Sequence, residues 1–111
     1  MKPKLVVPRE VAGKDIEDVV DYYPRGAGYQ AALNFIEFLQ RAFDHIGRHP
    51  QTGSPRYAHE LNLPGLRAWP VKRYPYWIFY VELDDHIDVW RVLNGQRDIP
   101  AWLSTENFNP E

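Results

Sequence analysis

Residues 86–103, read as HIDVWRVLNGQRDIPAWL, join an alternating strand to a charged turn and an aromatic tail, and few small folds end this way. Asp84 and Asp85 supply a turn ahead of that strand, and the β-prone run from Tyr76 to Val81 reads as its hairpin partner. Further upstream, Leu66 to Tyr80 alternates with interruptions at Pro70 and Pro75, the pattern of an irregular strand leading into that run. In the last strand, Ile87, Val89, Arg91 and Leu93 fall on one face and His86, Asp88, Trp90 and Val92 on the other. The alternation alone leaves open which face is core.

The first half of the chain has a different period. Lys4 to Val7 is short, β-prone and bounded by Pro3 and Pro8, and reads as a first strand. From Val11 to Tyr23, Ala12, Ile16, Val19, Val20 and Tyr23 recur at helical spacing, with Asp15, Glu17, Asp18 and Asp21 facing mostly the other way; Pro24 is the expected stop. A longer helix is expected from Tyr29 to about Arg48. In it Leu33, Ile36, Leu39, Phe43 and Ile46 form one stripe, and Phe35, Phe38 and Ala42 form a second. The second stripe is either a wider core face against the first helix or a groove for a partner helix. From His49 to Gly65 the chain is rich in Pro and Gly with little periodicity, which predicts an ordered surface loop. The order predicts an α+β domain: an N-terminal strand, then an antiparallel helical hairpin packed on a mainly antiparallel C-terminal sheet, one face of which stays partly open.

At 111 residues, 44% of them hydrophobic and 14% aromatic, the chain fits one domain able to bury its own core, expected over residues 1–103 with a mobile tail at 104–111. With no cysteine, no disulfide framework, thiolate metal site or cysteine nucleophile is available. No membrane-length apolar window or signal-like block occurs, so a soluble, cytoplasmic protein is expected. A formal charge of −2 argues against a surface devoted to neutralising phosphates and favours a protein partner.

Catalytic motifs are absent from the sequence: it has no Ser-centred nucleophile, phosphate-cradling glycine loop or dinucleotide fingerprint, so neither a catalytic residue nor a cofactor is assigned. His45 and His49 are four apart, a spacing that can share a metal, but no third ligand accompanies them and no metal is expected. Glu17, Asp18 and Asp21 could suggest paired carboxylates, but on an amphipathic helix they read as a solvated or partner-facing acidic face. What remains is a set of cations, Arg56, Arg67, Lys72, Arg73, Arg91 and Arg97, interleaved with Trp69, Tyr74, Tyr76, Trp90 and Trp102. Such a set either stacks on and neutralises RNA or anchors a protein interface, where Trp, Tyr and Arg are over-represented. The plainer alternative makes the aromatics core and pairs the cations with Glu60, Glu82, Asp88 and Asp98.

From about Arg9 to Leu103 the chain resembles the ParE branch of the RelE/ParE toxin superfamily. The resemblance rests on DIEDVVDYY at residues 15–23, on His49 and Pro50 through Ser54, Pro55 and Arg56, on Gly65, Leu66 and Arg67, on Pro70 and Val71, on Ile78, Phe79 and Tyr80, and on RVL with GQRDIP at residues 91–100. It implies a non-enzymatic toxin of a type II toxin–antitoxin module that poisons DNA gyrase and is neutralised by a ParD-like antitoxin, through which the complex binds operator DNA. Two competing functions are a RelE-like ribosome-dependent mRNA endoribonuclease and a non-toxic module that keeps only its antitoxin. The tail after Arg91 lacks the His or Tyr that RelE-like enzymes use for proton transfer, and Asn94 stands where many ParE-like chains carry His. Arg91, Arg97 and Trp102 rank first as target-binding candidates, with Arg67, Trp69 and Arg73, which precede or edge the same sheet, behind them. Phe35, Phe38 and Ala42 are the antitoxin-binding candidates.

Overall fold

The computed structural model describes residues 2–26 and 28–105. Strand β1 (Leu5–Pro8) is followed by helices α1 (Glu10–Gly26) and α2 (Tyr29–Arg48). A 3-10 turn (Pro50–Thr52) and helix α3 (Arg56–Leu61) lead to β2 (Leu66–Pro70), β3 (Tyr76–Glu82), β4 (His86–Asn94) and helix α4 (Ile99–Thr105). The sheet order is β1-β4-β3-β2; β1 runs parallel to β4 and the other pairings are antiparallel, which is the mainly antiparallel α+β arrangement the patterns predict.

The helical hairpin covers one face of the sheet. Ala12 and Val19 of α1 and Phe35, Leu39, Ala42 and Ile46 of α2 bury themselves against Ile78, Tyr80, Ile87, Val89 and Val92. On the other face Leu66, Ala68, Phe79 and Leu93 pack under Ile99 and Leu103 of α4, with Tyr57 and Leu61 of α3 beside them. The half of that face nearest β1 stays open, leaving Leu5 71%, Val7 39% and Leu83 40% exposed. Edge strand β1 is held by side chains as well as its ladder: Arg9 makes a two-pronged contact with Asp88 at 3.1 and 2.9 Å, and Lys4 reaches Glu82 at 2.8 Å. It also passes so close to α2 that a Cβ on Gly47 would lie 2.7 Å from the Lys4 carbonyl oxygen, so only glycine fits there.

Several expectations are corrected. Helix α1 does not stop at Pro24 but runs on to Gly26, because a proline in the last turn removes a single backbone donor just before the helix ends. The segment expected as a loop contains α3 and the 3-10 turn, both too short for their periodicity to be read. It is pinned from below: the Tyr80 hydroxyl donates to the Pro50 carbonyl at 2.7 Å, Arg67 donates to the Gly53 carbonyl at 2.8 Å, and Ser54 bridges to Ala68. The aromatic tail is helical from Ile99 through Thr105, beyond the point where the mobile tail was expected to begin, and the remainder of that tail lies outside the described residues.

The strict alternation assigned to β4 also fails. Phe79 pairs with Arg91 but Tyr80 pairs with Val89, leaving Trp90 as an extra residue in a β-bulge. The bulge shifts the phase by one, so Ile87, Val89 and Val92 face the hairpin while Leu93 faces α4. Arg91 does not reach across the sheet to Asp88 or Glu82. Its Nε and Nη2 donate to Asp15 at 2.8 Å each, and the Val92 N–H donates to the same carboxylate at 3.0 Å. Side-chain exposure is only 5% for Arg91 and 12% for Asp15, so Asp15 does not face away from the packed side of α1 as its spacing suggests.

Removing one member of such a buried pair strands the other charge in a poorly hydrated site, at a cost of about 3–5 kcal/mol, whereas an exposed pair contributes about 1 kcal/mol or less. Asp15→Ala should therefore shift the urea denaturation midpoint far below that of the parent, and Arg41→Ala, which breaks the exposed pair with Glu37, should barely move it. Equal shifts for the two variants would contradict this assignment.

Candidate functional site

The nine candidate residues sort into two places and a remainder. The first place is a cleft of ≈ 600 Å³ between α1 and the chain that follows β4, walled by Tyr22, Tyr23, Tyr76, Asn94, Arg97 and Trp102, with Asp15 and Asp18 along its α1 side. Each element contributes for a local reason. Tyr23 ends the apolar stripe of α1, and its neighbour Tyr22 is left 72% exposed at the rim. After β4 a tight turn forms, in which the Asn94 side chain accepts the Gln96 N–H at 2.9 Å and the Arg97 N–H returns to the Asn94 carbonyl at 3.0 Å. Asp98 then caps α4 by accepting the Ala101 N–H at 3.2 Å, which sets Trp102 back over the turn. The Arg97 guanidinium lies 4.3 Å from the centre of the Trp102 ring, and Arg91, below it, lies 5.4 Å from the same ring.

Arg91, Arg97 and Trp102 are thus brought together, but not on equal terms. Arg97 is exposed and Trp102 half-buried, whereas Arg91 is buried and engaged by Asp15 beneath the cleft, so its fork faces inward. Burial raises the Tyr76 hydroxyl above the usual tyrosine pKa, opposed by nearby Arg97, and burial likewise raises Tyr23. Both phenols remain protonated at neutral pH and act as donors rather than as bases. No histidine lines the cleft. What it presents is a stacked guanidinium, aromatic faces, phenol hydroxyls and the carboxylates of Asp15 and Asp18.

The second place is a shallow slot of ≈ 320 Å³ between α2 and the end of β2, walled by Phe38, Ala42, His45, Trp69 and Pro70, with Arg41 and Lys72 at its edge. Phe38 and Ala42 come from the antitoxin candidates and Trp69 from the target candidates, two sets that the sequence kept apart. Arg73 joins them, its guanidinium 5.4 Å from the Phe38 ring centre. Phe35 does not: it is fully buried under Tyr23, Tyr74 and Tyr76, as the wider-core reading of the second stripe requires. Ala42 is itself almost wholly buried, so Phe38 is the member of that stripe with surface to offer. Arg67 belongs to neither place, since its guanidinium holds the Gly53 carbonyl.

Sequence reasoning passed over Asp15, Tyr22 and Tyr23 as site residues, and it named Tyr76 only among the aromatics interleaved with the cations. A usable signal for Asp15 was its position three after Ala12 and four before Val19, on the buried edge of the helix. His45 and His49 do come close, with ring centres 5.3 Å apart, but His45 stacks flat on Trp69 at 4.0 Å. Among the described residues no group of three or more His, Cys, Asp or Glu side chains gathers to hold a metal, and no helix is long and apolar enough to cross a membrane.

The fold is similar to a chain of the structure titled "Chromosomal ParDE TA system from P. aeruginosa", with a TM-score of 0.69, 17% identity, and 82% of this chain and 95% of that one covered. That likeness places the chain among α+β proteins of this architecture. The sequence matches the family model described as the ParE toxin of the type II toxin–antitoxin system parDE over residues 6–99, and the chain belongs to that family. No curated protein sequence matches it.

The His45 stack has a measurable consequence. Thr52 donates its hydroxyl to the His49 carbonyl at 2.8 Å, so it must accept from Nε2–H of His45, also at 2.8 Å, which assigns the neutral tautomer from the network. Burial first, and then His49, hold the His45 pKa below its ordinary 6.5, with Asp44 opposing. Below that value the unfolded chain binds a proton that the folded chain resists, so this stabilisation is full above pH 6.5 and falls as the pH drops through the folded pKa. The thermal midpoint should decline between about pH 7.5 and about pH 5 less steeply in His45→Gln than in the parent. Identical slopes would remove His45 as a contributor.

Proposed function

We propose that this ParE-family protein inhibits bacterial DNA gyrase in the cytoplasm and is neutralised by a ParD-like antitoxin, through which the pair binds operator DNA. It acts by binding and not by chemistry. The observation that carries this reading is the make-up of the C-terminal cleft. An exposed arginine stacked on a tryptophan at the rim of an aromatic hollow is what interface hot spots are built from. An endoribonuclease would need a group able to take the proton of a ribose 2′-hydroxyl. The phenols here are held protonated, His45 lies at the other slot, and of the two carboxylates along the cleft Asp15 is engaged by Arg91 and the Val92 N–H, which leaves Asp18 as the one group of that kind among the described lining residues. Family membership supplies the module, and the cleft supplies the contact surface.

Arg97 is the cleanest residue to test, because it is exposed and lies in a turn closed by its own backbone. Losing a hot-spot side chain typically costs about 2 kcal/mol of binding, roughly thirtyfold in affinity, whereas an exposed substitution away from special features changes stability by about 0.5 kcal/mol or less. Arg97→Ala should abolish growth inhibition while leaving the thermal midpoint near that of the parent. Trp102→Ala should abolish it too, with some loss of stability because the ring also packs beside Leu103 and Ile99. In parallel, the induced parent protein should cause filamentation and a DNA-damage response, and the purified protein should inhibit gyrase supercoiling. Cleavage of ribosome-bound messages with intact supercoiling, or full toxicity of Arg97→Ala, would reject the reading.

A further inference from the structure

The slot beside Phe38 has a charge pattern at odds with the net acidity of the chain. Its walls are almost wholly apolar, yet three cations frame it: Arg41 from α2, and Lys72 and Arg73 from the β2–β3 loop. Arg41 is engaged by Glu37 at 2.7 Å. Lys72 and Arg73 are exposed and form no ion pair among the described residues.

Arg73 also has a φ of 72°, in the left-handed region where a residue with a side chain is strained and where glycine would be at ease. In that conformation its guanidinium is brought to the Phe38 ring. A turn needing only to reverse the chain between β2 and β3 gains nothing from an arginine in this position. A turn that must hold a positive charge over an apolar slot does.

The volume narrows the choice of occupant. At ≈ 320 Å³ the slot lies at the bottom of the roughly 300–1,000 Å³ range of ligand pockets, enough for one or two side chains and too little for the face of a whole helix. Its floor, Trp69 with His45 stacked 4.0 Å away, and its Phe38 wall suit an apolar or aromatic anchor. The surrounding cations suit carboxylates on either side of that anchor.

We infer that this slot is the docking point for an acidic peptide segment of a protein partner, one that inserts a Leu or Phe between Phe38 and Trp69 and places flanking Asp or Glu side chains on Lys72 and Arg73. The inference rests on the reading that a protein antitoxin neutralises this chain, and it assigns to that partner a segment of this chemistry.

The test is a titration of the full chain, labelled with 15N at its tryptophan indoles, with the hexapeptide EDLFED. The Trp69 signal is identified by its loss in Trp69→Phe. The expected result is a saturable shift of the Trp69 indole with Trp102 unmoved, weakening as salt is raised from about 50 to about 500 mM. The uncharged peptide QNLFQN and the anchorless EDGGED should each bind at least about tenfold more weakly, as should EDLFED to the double variant Lys72→Glu, Arg73→Glu. Arg73→Gly separates recognition from architecture. Relief of the left-handed strain offsets the chain entropy that glycine adds, so stability should stay close to the parent's while peptide affinity falls. An unmoved Trp69, a shift at Trp102 instead, equal binding of QNLFQN, or the same shift from inorganic phosphate or a thymidine oligonucleotide would overturn the inference. If the peptide docks at Trp69 but no adjacent gene product relieves growth arrest, the toxin–antitoxin reading fails and the docking surface stands. If growth is relieved and Trp69 does not respond, the docking surface fails alone.

Discussion

The ion pair between Asp15 and Arg91 is the contact through which α1, β4 and the C-terminal turn set one another's positions. A buried pair of this kind adds little net stability over well-packed apolar residues, because the desolvation of both charges offsets much of their attraction. Its effect is on geometry. The Asp15 carboxylate accepts two donors from Arg91 and the Val92 N–H, so turning α1 by one residue, or slipping β4 by one, would break all three bonds together. The aromatic rim inherits that rigidity, since Trp102 lies over Arg91 and Arg97 lies against Trp102. A residue first considered as a contact for the target is thus better described as the footing on which Arg97 and Trp102 stand.

The bulge at Trp90 makes this arrangement possible. Without it, Arg91 would share a face with Ile87 and Val89, and Leu93 would point into the hairpin instead of under α4. With the extra residue, β4 serves two cores in succession, giving Ile87, Val89 and Val92 to the helical hairpin and Leu93 to the C-terminal helix. Trp90 occupies the point of exchange. Its indole donates to Asp88 at 3.2 Å, and the Arg9 guanidinium lies 4.9 Å from its ring, so the irregular point of the strand is tied to β1 as well. A domain with so short an edge strand depends on such ties, because four residues of ladder are a weak hold in water.

Much of this fold can be read from the sequence because the two halves differ in period. The Leu33 to Ile46 stripe and the Tyr76 to Val81 run leave little choice of element, and Asp84 with Asp85 fixes where the hairpin turns. What could not be read depends on single residues placed by tertiary contact. Arg56–Leu61 is less than two helical turns, and its structure comes from Tyr57 seated on Phe79 and from a loop clamped by Tyr80 and Arg67. The bulge has no local signature, so strand alternation ran straight through it. The candidate site followed the same rule. Residue type correctly singled out arginines and tryptophans, but only burial separates Arg97 from Arg91 and Phe38 from Phe35.

The two surface features meet at the β2–β3 loop, which bears Lys72 and Arg73 on the side of the slot and Pro75, just ahead of Tyr76 of β3, on the side of the cleft. Tyr74 fixes the loop between them. Its ring meets Tyr23 at 5.7 Å and Phe35 at 5.3 Å edge-on, and Phe38 at 6.0 Å, contacts of the kind that add about 0.5–1.5 kcal/mol per pair beyond simple burial. The slot and the cleft are therefore held at a constant separation by a packed wedge rather than by a mobile turn. A compact ligand can use only one of them. An extended protein segment that seats a side chain in the slot brings its remaining length to the cleft at a high effective concentration, so the second contact forms without a second loss of translational freedom. Of the proposed partners, the antitoxin segment is the one this pairing of sites favours, because a chain that is long and flexible before it binds can engage both, while a globular target needs only the cleft.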